Sequence, residues 1–434
     1  MSNKQEKLWS FTFVAVIAFS FAGFIVIQGM NAGTTVYVDR LGGTSTFAGF
    51  LATMYTASAA VTRLISGPMI DTRGRFVVMM AGSIVLVIGT LVPLVNSSDV
   101  ALVICRVLQG LGFSAANTAT ATVAADVLPY SRVGEGMSYY GLGQAVAMSI
   151  GPALGLFLVS TDPATNLFLG LSIAALLPIA LALACRYERN VKVLPETSTY
   201  RRRVEQREAE QAKRIAQGLP PEDVQQQTAS DDQYKGIWKI LEPGALPGAL
   251  PLMFISPAFG FSIFFVGVIG TTYGIVNPGL YFTLSAVSMI LVRFGSNRYM
   301  DAFPAIVTYT AALACGLVAF VLLFLITTMG LPEPTMRVML YIAGPFYGVC
   351  LGVATPVDHT VSIKCTKPER WGATNALFLF ALDVALGVSS IIWGVINDTF
   401  GFHASIVGVI VCIIASYVCA WITYLASEKT WKKK

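Results

Sequence analysis

The sequence predicts an all-α integral membrane protein with twelve transmembrane helices in two pseudo-symmetric six-helix bundles. Three observations lead there. Hydrophobic residues make up 55% of the chain and charged residues only 12%, about half the charged share of a soluble domain. Twelve stretches are apolar over about twenty residues, the length a helix needs to cross the hydrocarbon core. A nine-residue pattern, Arg63-Leu-Ile-Ser66-Gly67-Pro68-Met69-Ile70-Asp71, returns half a chain later as Arg293-Phe-Gly-Ser296-Asn297-Arg298-Tyr-Met300-Asp301, with Arg, Ser and Asp in the same spacing. Such a repeat in so apolar a chain marks two homologous membrane halves.

In order, the apolar stretches fall at 11–37, 46–68, 76–96, 100–125, 136–160, 165–186, 249–276, 279–298, 303–328, 336–362, 371–397 and 402–426. The first follows Lys4 and Lys7 but is too long for a signal-peptide core and has no clear cleavage site, so it reads as a retained helix. With both termini placed in the cytoplasm, only Arg40 and Arg337 fall outside. Arg63, Arg106 and Arg293 lie within spans, and every other Lys and Arg falls on the cytoplasmic side. That asymmetry sets the orientation in a cell membrane. It also accounts for the net charge of +5 without a nucleic-acid partner.

The halves, 1–186 and 246–434, are joined by a cytoplasmic linker, 187–245. Its segment Arg201–Ile215 is rich in Arg, Glu, Gln and Ala and reads as a surface helix, ended by Gly218-Leu-Pro220-Pro221. The polar stretch Gln225–Asp232 reads as disordered. Arg201-Arg202-Arg203 suits either a solvated tether or contact with anionic lipid.

Several classes are excluded. The seven cysteines form no CxxC pair, and His359 and His403 are the only histidines, so no zinc site is expected. No GxxxxGK[ST] is present, so ATP is not the driver. No nucleophile–base constellation exists outside the spans, so the protein is not expected to be an enzyme and needs no cofactor beyond a proton gradient.

The turn Gly67-x-x-x-Asp71-Thr-Arg73-Gly74-Arg75 has a physical logic. Gly67 allows close helix packing, Asp71 at a helix end can accept from Arg73, Arg75 or free amides, and Gly74 permits a sharp turn. This turn between the second and third helices resembles the signature loop of the major facilitator superfamily. Asp126-x-x-Pro129-x-x-Arg132 resembles that loop's partner after helix four. The resemblance implies a conformational latch over Gly67, Asp71, Arg73, Gly74, Arg75, Asp126 and Arg132. The second copy keeps Asp301 but lacks Gly-Arg, which implies a weaker latch.

Arg106-Val-Leu-Gln109-Gly110 in helix four resembles the superfamily's second motif, which implies an arginine that faces the cavity and assists proton transfer. Because Arg106 lies near the extracellular start of its span, it can also snorkel outward. In helix five, Gly143, Gly151, Pro152 and Gly155 resemble the motif of the drug/proton antiporter branch. They also suit helix packing alone.

Matching Arg132-x-Gly134 to Arg370-x-Gly372 sets an offset of 238, under which Gly110 meets Gly348. Asp358-His359 then falls on the counterpart of helix four, and Asp383 lies mid-span in helix eleven. A carboxylate at such depth pairs, binds a cation or titrates, so Asp383, Asp358 or both are the proton-coupling candidates, with His359 and Arg106 beside them. Asp39, at the outer mouth of helix one, is either solvated or an outer gate.

The expectation is a monomeric secondary transporter. It carries out proton-coupled export of a small organic or drug-like molecule by alternating access, with Gln28, Asn31, Gln109, Asn117, Gln144, Phe261, Phe265 and Phe378 as candidate cavity residues. A proton symporter, or a receptor on the same fold, is the alternative.

Overall fold

The computed structural model describes residues 8–129, 132–183, 242–302, 304–366 and 371–431, with isolated positions between 185 and 211. Among the described residues twelve long helices are present: α1 Phe11–Arg40, α2 Ser45–Arg73, α3 Arg75–Val95, α4 Asp99–Val127, α5 Val133–Ser160, α6 Asn166–Leu183, α7 Leu246–Thr272, α8 Leu280–Ala302, α9 Ala305–Thr328, α10 Glu333–Lys364, α11 Trp371–Phe400 and α12 Phe402–Trp431. Twelve passes return the chain to the face where α1 begins, here the terminal face. The opposite face, carrying the α1–α2 and α7–α8 turns, is the distal face.

Local chemistry starts and stops these helices. Ser10, Thr44 and Ser98 cap α1, α2 and α4, their hydroxyls accepting from the amides of Phe13, Phe47 and Ala101 at 3.1, 3.1 and 3.3 Å, the usual N-cap geometry. Gly74, at φ +90°, makes the reversal between α2 and α3 in a region of backbone space that side chains resist. Ten of the twelve helices are long and apolar enough to cross a membrane on composition alone. α2 falls short of the expectation because one strip of it is built of Ser, Thr and Arg63, and that strip packs on the other half. α8 qualifies only as a shorter apolar helix, Leu280–Arg293. Val95, Ile173, Leu291, Val411 and Trp421 are exposed, the apolar exterior expected of a lipid-facing surface.

The internal repeat is visible in the packing. In the first half α1 packs on α5 and α6, α3 on α4 and α6, and α2 on α4. In the second half α7 packs on α11 and α12, α9 on α10 and α12, and α8 on α10. Register agrees as well. Gly110 lies against the Tyr55 carbonyl and Ser58 hydroxyl of α2, and Gly348 lies against the Ser285 carbonyl and Ser288 hydroxyl of α8. The offsets read from sequence, 230 for the second helix of each half and 238 for the fourth, are therefore met by the same pair of contacts. The linker helix expected at Arg201–Ile215 lies largely outside the described residues.

The helix-five motif is a packing device in this structure. Gly151 abuts the Ile25 carbonyl, and Gly155 lies directly on the Gly29 backbone, so α1 and α5 meet main chain to main chain. Gly155→Leu is expected to cost about 1–3 kcal/mol by overpacking and to lower the thermal midpoint of the purified protein. Gly141→Ala, where a Cβ meets open space, should leave it unchanged. Equal midpoints for the two variants would remove the packing role.

Candidate functional site: an ion pair on the seam between the halves

Three helix pairs join the halves: α2 with α11, α5 with α8, and α1 with α7. The α2–α11 contact is the most polar. At its distal end Asp398 of α11 accepts the backbone amides of Ser45 and Thr46 at 2.9 and 2.7 Å, so a carboxylate of one half caps a helix of the other. Further in, Thr53 Oγ1 donates to the Gly387 carbonyl at 2.7 Å, and Ser390 Oγ donates to the Gly49 carbonyl at 3.1 Å. At the inner end Arg63 Nε donates to Asp383 Oδ2 at 2.6 Å, with 15% and 10% of the two side chains exposed. Among the described residues this is the bond between α2 and α11 that lies nearest the terminal face.

The other two contacts are lighter. Asp39 Oδ2 accepts from Thr271 Oγ1 at 3.2 Å between the distal ends of α1 and α7, so the outer-mouth aspartate is a cross-half contact. Arg293, the second copy of Arg63, donates to the Gly141 carbonyl of α5 at 3.5 Å. The two arginines of the repeat thus both reach across the seam, one to a carboxylate and one to main chain.

Asp383 therefore lies on the seam between the halves, and its partner, Arg63, was not among the predicted site residues. The clue was present: Arg63 heads the repeated element. Asp358 lies elsewhere. It is fully buried within the second half, accepting from Tyr424 and from Tyr309 at 3.3 Å. Tyr309 shares a 2.7 Å bond with Ser416, whose hydroxyl donates to the Pro251 carbonyl. His359 points away from it, its Nε2 at 2.6 Å from Asn375 Oδ1 and its ring against Phe378. The expected Asp358-His359 proton pair is corrected: consecutive residues on a helix diverge by about 100°, and these two serve different neighbours.

Arg106 neither snorkels nor faces open space. It is 1% exposed, donates to Asn31, to Gln109 at 2.9 Å and to the Leu51 carbonyl at 3.4 Å, and lies 4.7 Å from the Tyr55 ring centroid. Gln28 bonds Asn31 at 2.8 Å, and Thr90 meets Gln109 at 3.3 Å. Gln28, Asn31 and Gln109, expected in the cavity, are instead the buried shell that keeps a guanidinium satisfied inside the first half. Phe261 and Phe265 are also buried in the core of the second half, where the Phe261 ring meets Phe265 and lies edge-to-face with Phe320 and Trp393, so their cavity role is corrected too. Asn117 and Gln144 stay partly open, linked to each other at 3.4 Å, to Ser20 at 2.9 Å and to Tyr140 at 3.5 Å.

At the terminal face the latch expectation meets a concrete bond. Arg75 Nε donates to Asp126 Oδ2 at 3.1 Å, tying the start of α3 to the end of α4. Glu188, which follows α6, accepts the amides of Arg75 and Phe76 at 2.9 and 3.0 Å and so caps α3, a role the sequence did not single out. Arg73 is exposed. Gly67 lies within α2, and the side chains of Asp71 and Asp301 lie outside what the structure describes.

The sequence profile of the Major Facilitator Superfamily matches residues 8–332. No curated protein matches the chain by sequence. Among solved structures, a bacterial homologue of the human lysosomal transporter Spinster, inward-facing and unoccupied, matches with TM-score 0.70 and 14% identity over 96% of this chain and 97% of that one. A POT family transporter in complex with 5-aminolevulinic acid matches with TM-score 0.69 and 11% identity over 96% of each chain. The nucleoside transporter NupG, in a point-mutant form, matches with TM-score 0.64 and 12% identity over 96% of this chain and 99% of that one. At these identities the likeness is one of fold.

Removing the distal cap should loosen the distal face. Asp398→Ala is expected to cost the closed arrangement about 1 kcal/mol and to lengthen the distance between spin labels at Leu41 and Val276, both exposed at distal turns. An unchanged distance distribution would show that the cap does not hold the halves together.

Proposed function

The chain belongs to the major facilitator superfamily and is a multi-pass membrane transporter, and from that premise we propose that it couples substrate movement to protons through Asp383. The observation that carries this reading is the Arg63–Asp383 pair, the innermost bond of the α2–α11 seam. A proton on Asp383 removes the charge that holds Arg63. The halves then lose their strongest electrostatic tie at the point where they must separate. Arg106 and Asp358 are satisfied within their own halves, so they need not exchange partners as the halves rock.

In this reading the terminal face lies in the cytoplasm of a cell membrane, following the Lys and Arg distribution. The structure, bonded along its distal half, is then a state whose outer side is closed. A monomer with a cavity between the halves suffices for alternating access. The direction proposed is export, supported by the resemblance of Gly143, Gly151, Pro152 and Gly155 to the exporter motif. The intact Gly74, Arg75 and Asp126 of the latch favour a working transporter over a receptor.

Proteoliposomes with a pH dye inside test the coupling. Asp383→Asn should bind substrate yet lose substrate-triggered proton movement by at least tenfold. Unchanged proton flux would take Asp383 out of the mechanism. Arg75→Gln should leave binding intact and slow turnover several-fold, read as initial flux. An unaltered rate would remove the latch role of the Arg75–Asp126 bond.

A further inference from the structure

Arg63 meets Asp383 through Nε alone. Neither of its terminal amino groups finds a protein acceptor among the described residues, and the other oxygen of Asp383 finds no donor. A guanidinium normally uses its paired N–H groups as a fork that fits the two oxygens of a carboxylate or phosphate. Here that fork is unfilled, among the described residues, on a partly exposed side chain on the seam between the halves.

Charge balance limits what can enter. Separating the halves at this point parts Arg63 from Asp383, and an unpaired charge at membrane depth is strongly unfavourable. A purely cationic ligand would satisfy Asp383 and leave Arg63 bare. A zwitterion satisfies both partners at once. An anion satisfies Arg63 provided a proton has already neutralised Asp383. Both acceptable routes put a negative group on Arg63. The rest of the first half has the same bias: its interior holds Arg106, whose hydrogen-bond partners are all neutral.

Resting on the transport reading above, we propose that Arg63 is the substrate-docking residue and that the substrate carries a carboxylate- or phosphate-type anionic group, ruling out the lipophilic cations that drug exporters are expected to take. The two routes differ in coupling. A zwitterion's ammonium competes with the proton for Asp383, so substrate and proton travel in opposite directions. A simple anion needs the proton, so the two travel together. The charge of the substrate thereby sets the direction of coupling.

The test uses the intact protein in nanodiscs and needs no knowledge of the natural substrate. Phenylglyoxal modifies accessible arginines, and peptide mapping by mass spectrometry reports the rate at Arg63. Benzoate, phenylalanine and tetraphenylphosphonium serve as anionic, zwitterionic and cationic probes. Protection of Arg63 by at least threefold from benzoate or phenylalanine, with none from tetraphenylphosphonium, is the expected result. Protection by benzoate should persist in Asp383→Asn, where the carboxylate charge is already absent. No protection by either benzoate or phenylalanine, or protection by the cation alone, overturns the proposal. Proton movement in proteoliposomes separates it from the coupling reading. Protection without proton flux leaves the docking site standing and removes proton coupling. Proton flux driven by tetraphenylphosphonium without protection does the reverse. When flux accompanies protection, counter-flow with phenylalanine assigns the zwitterionic route and co-flow with benzoate the anionic one.

Discussion

A charge placed inside a bilayer has to be satisfied by the protein, because no water is there to do it, and the α2–α11 seam is organised by that constraint. Arg63 on one helix and Asp383 on the other satisfy each other only while the two halves stay in register. Asp398, 15 residues further along α11, is about 22 Å from Asp383 at 1.5 Å per residue. It holds the opposite end of α2 by its first two backbone amides. Two carboxylates on one helix thus grip both the start and the interior of its antiparallel neighbour. The hydroxyl bonds of Thr53 and Ser390 lie between them. Moving each of these groups to the next position along its helix would turn it by about 100° and away from its partner.

The same constraint divides the charged residues into two kinds. Arg106 and Asp358 are as deeply buried as any residue in the protein, yet each finds its hydrogen bonds within its own half. Movement of one half against the other leaves those networks whole. Main-chain packing of α1 on α5, through Gly29, Gly151 and Gly155, stiffens the first half further. Among the described residues, the charged side chains bonded across the seam are Arg63, Asp383, Asp398, Asp39 and Arg293. A rigid body with a polar edge is what a rocking mechanism needs, and burial of the remaining charges inside each body makes it possible.

Much of the architecture was legible in the sequence. The twelve apolar stretches and the two repeat offsets carry through to the packing of Gly110 on α2 and Gly348 on α8. The Arg75–Asp126 bond joins two motifs read separately. What could not be read was which side of each helix faces where. Helices apolar all round carry no stripe to orient them, so Gln28, Asn31 and Gln109 looked like cavity residues when they are the shell of Arg106. Phe261 and Phe265 likewise lie in a core. The caps supplied by Glu188 and Asp398 come from segments remote in sequence, and no local spacing signals them. Arg63 was conspicuous as the head of the repeat, but its partner lies 320 residues away.

The repeat itself shows where function departs from symmetry. Arg63 and Arg293 descend from the same position in the two halves, and each reaches across the seam toward the other half. Arg63 reaches a carboxylate at 2.6 Å, whereas Arg293 reaches the Gly141 carbonyl at 3.5 Å. Under the offset of 238, the first-half counterpart of Asp383 is Ala145. An ion pair responds to a proton or to a competing charge, and a bond to main chain responds to neither. The α2–α11 contact is where an ion pair joins the two halves.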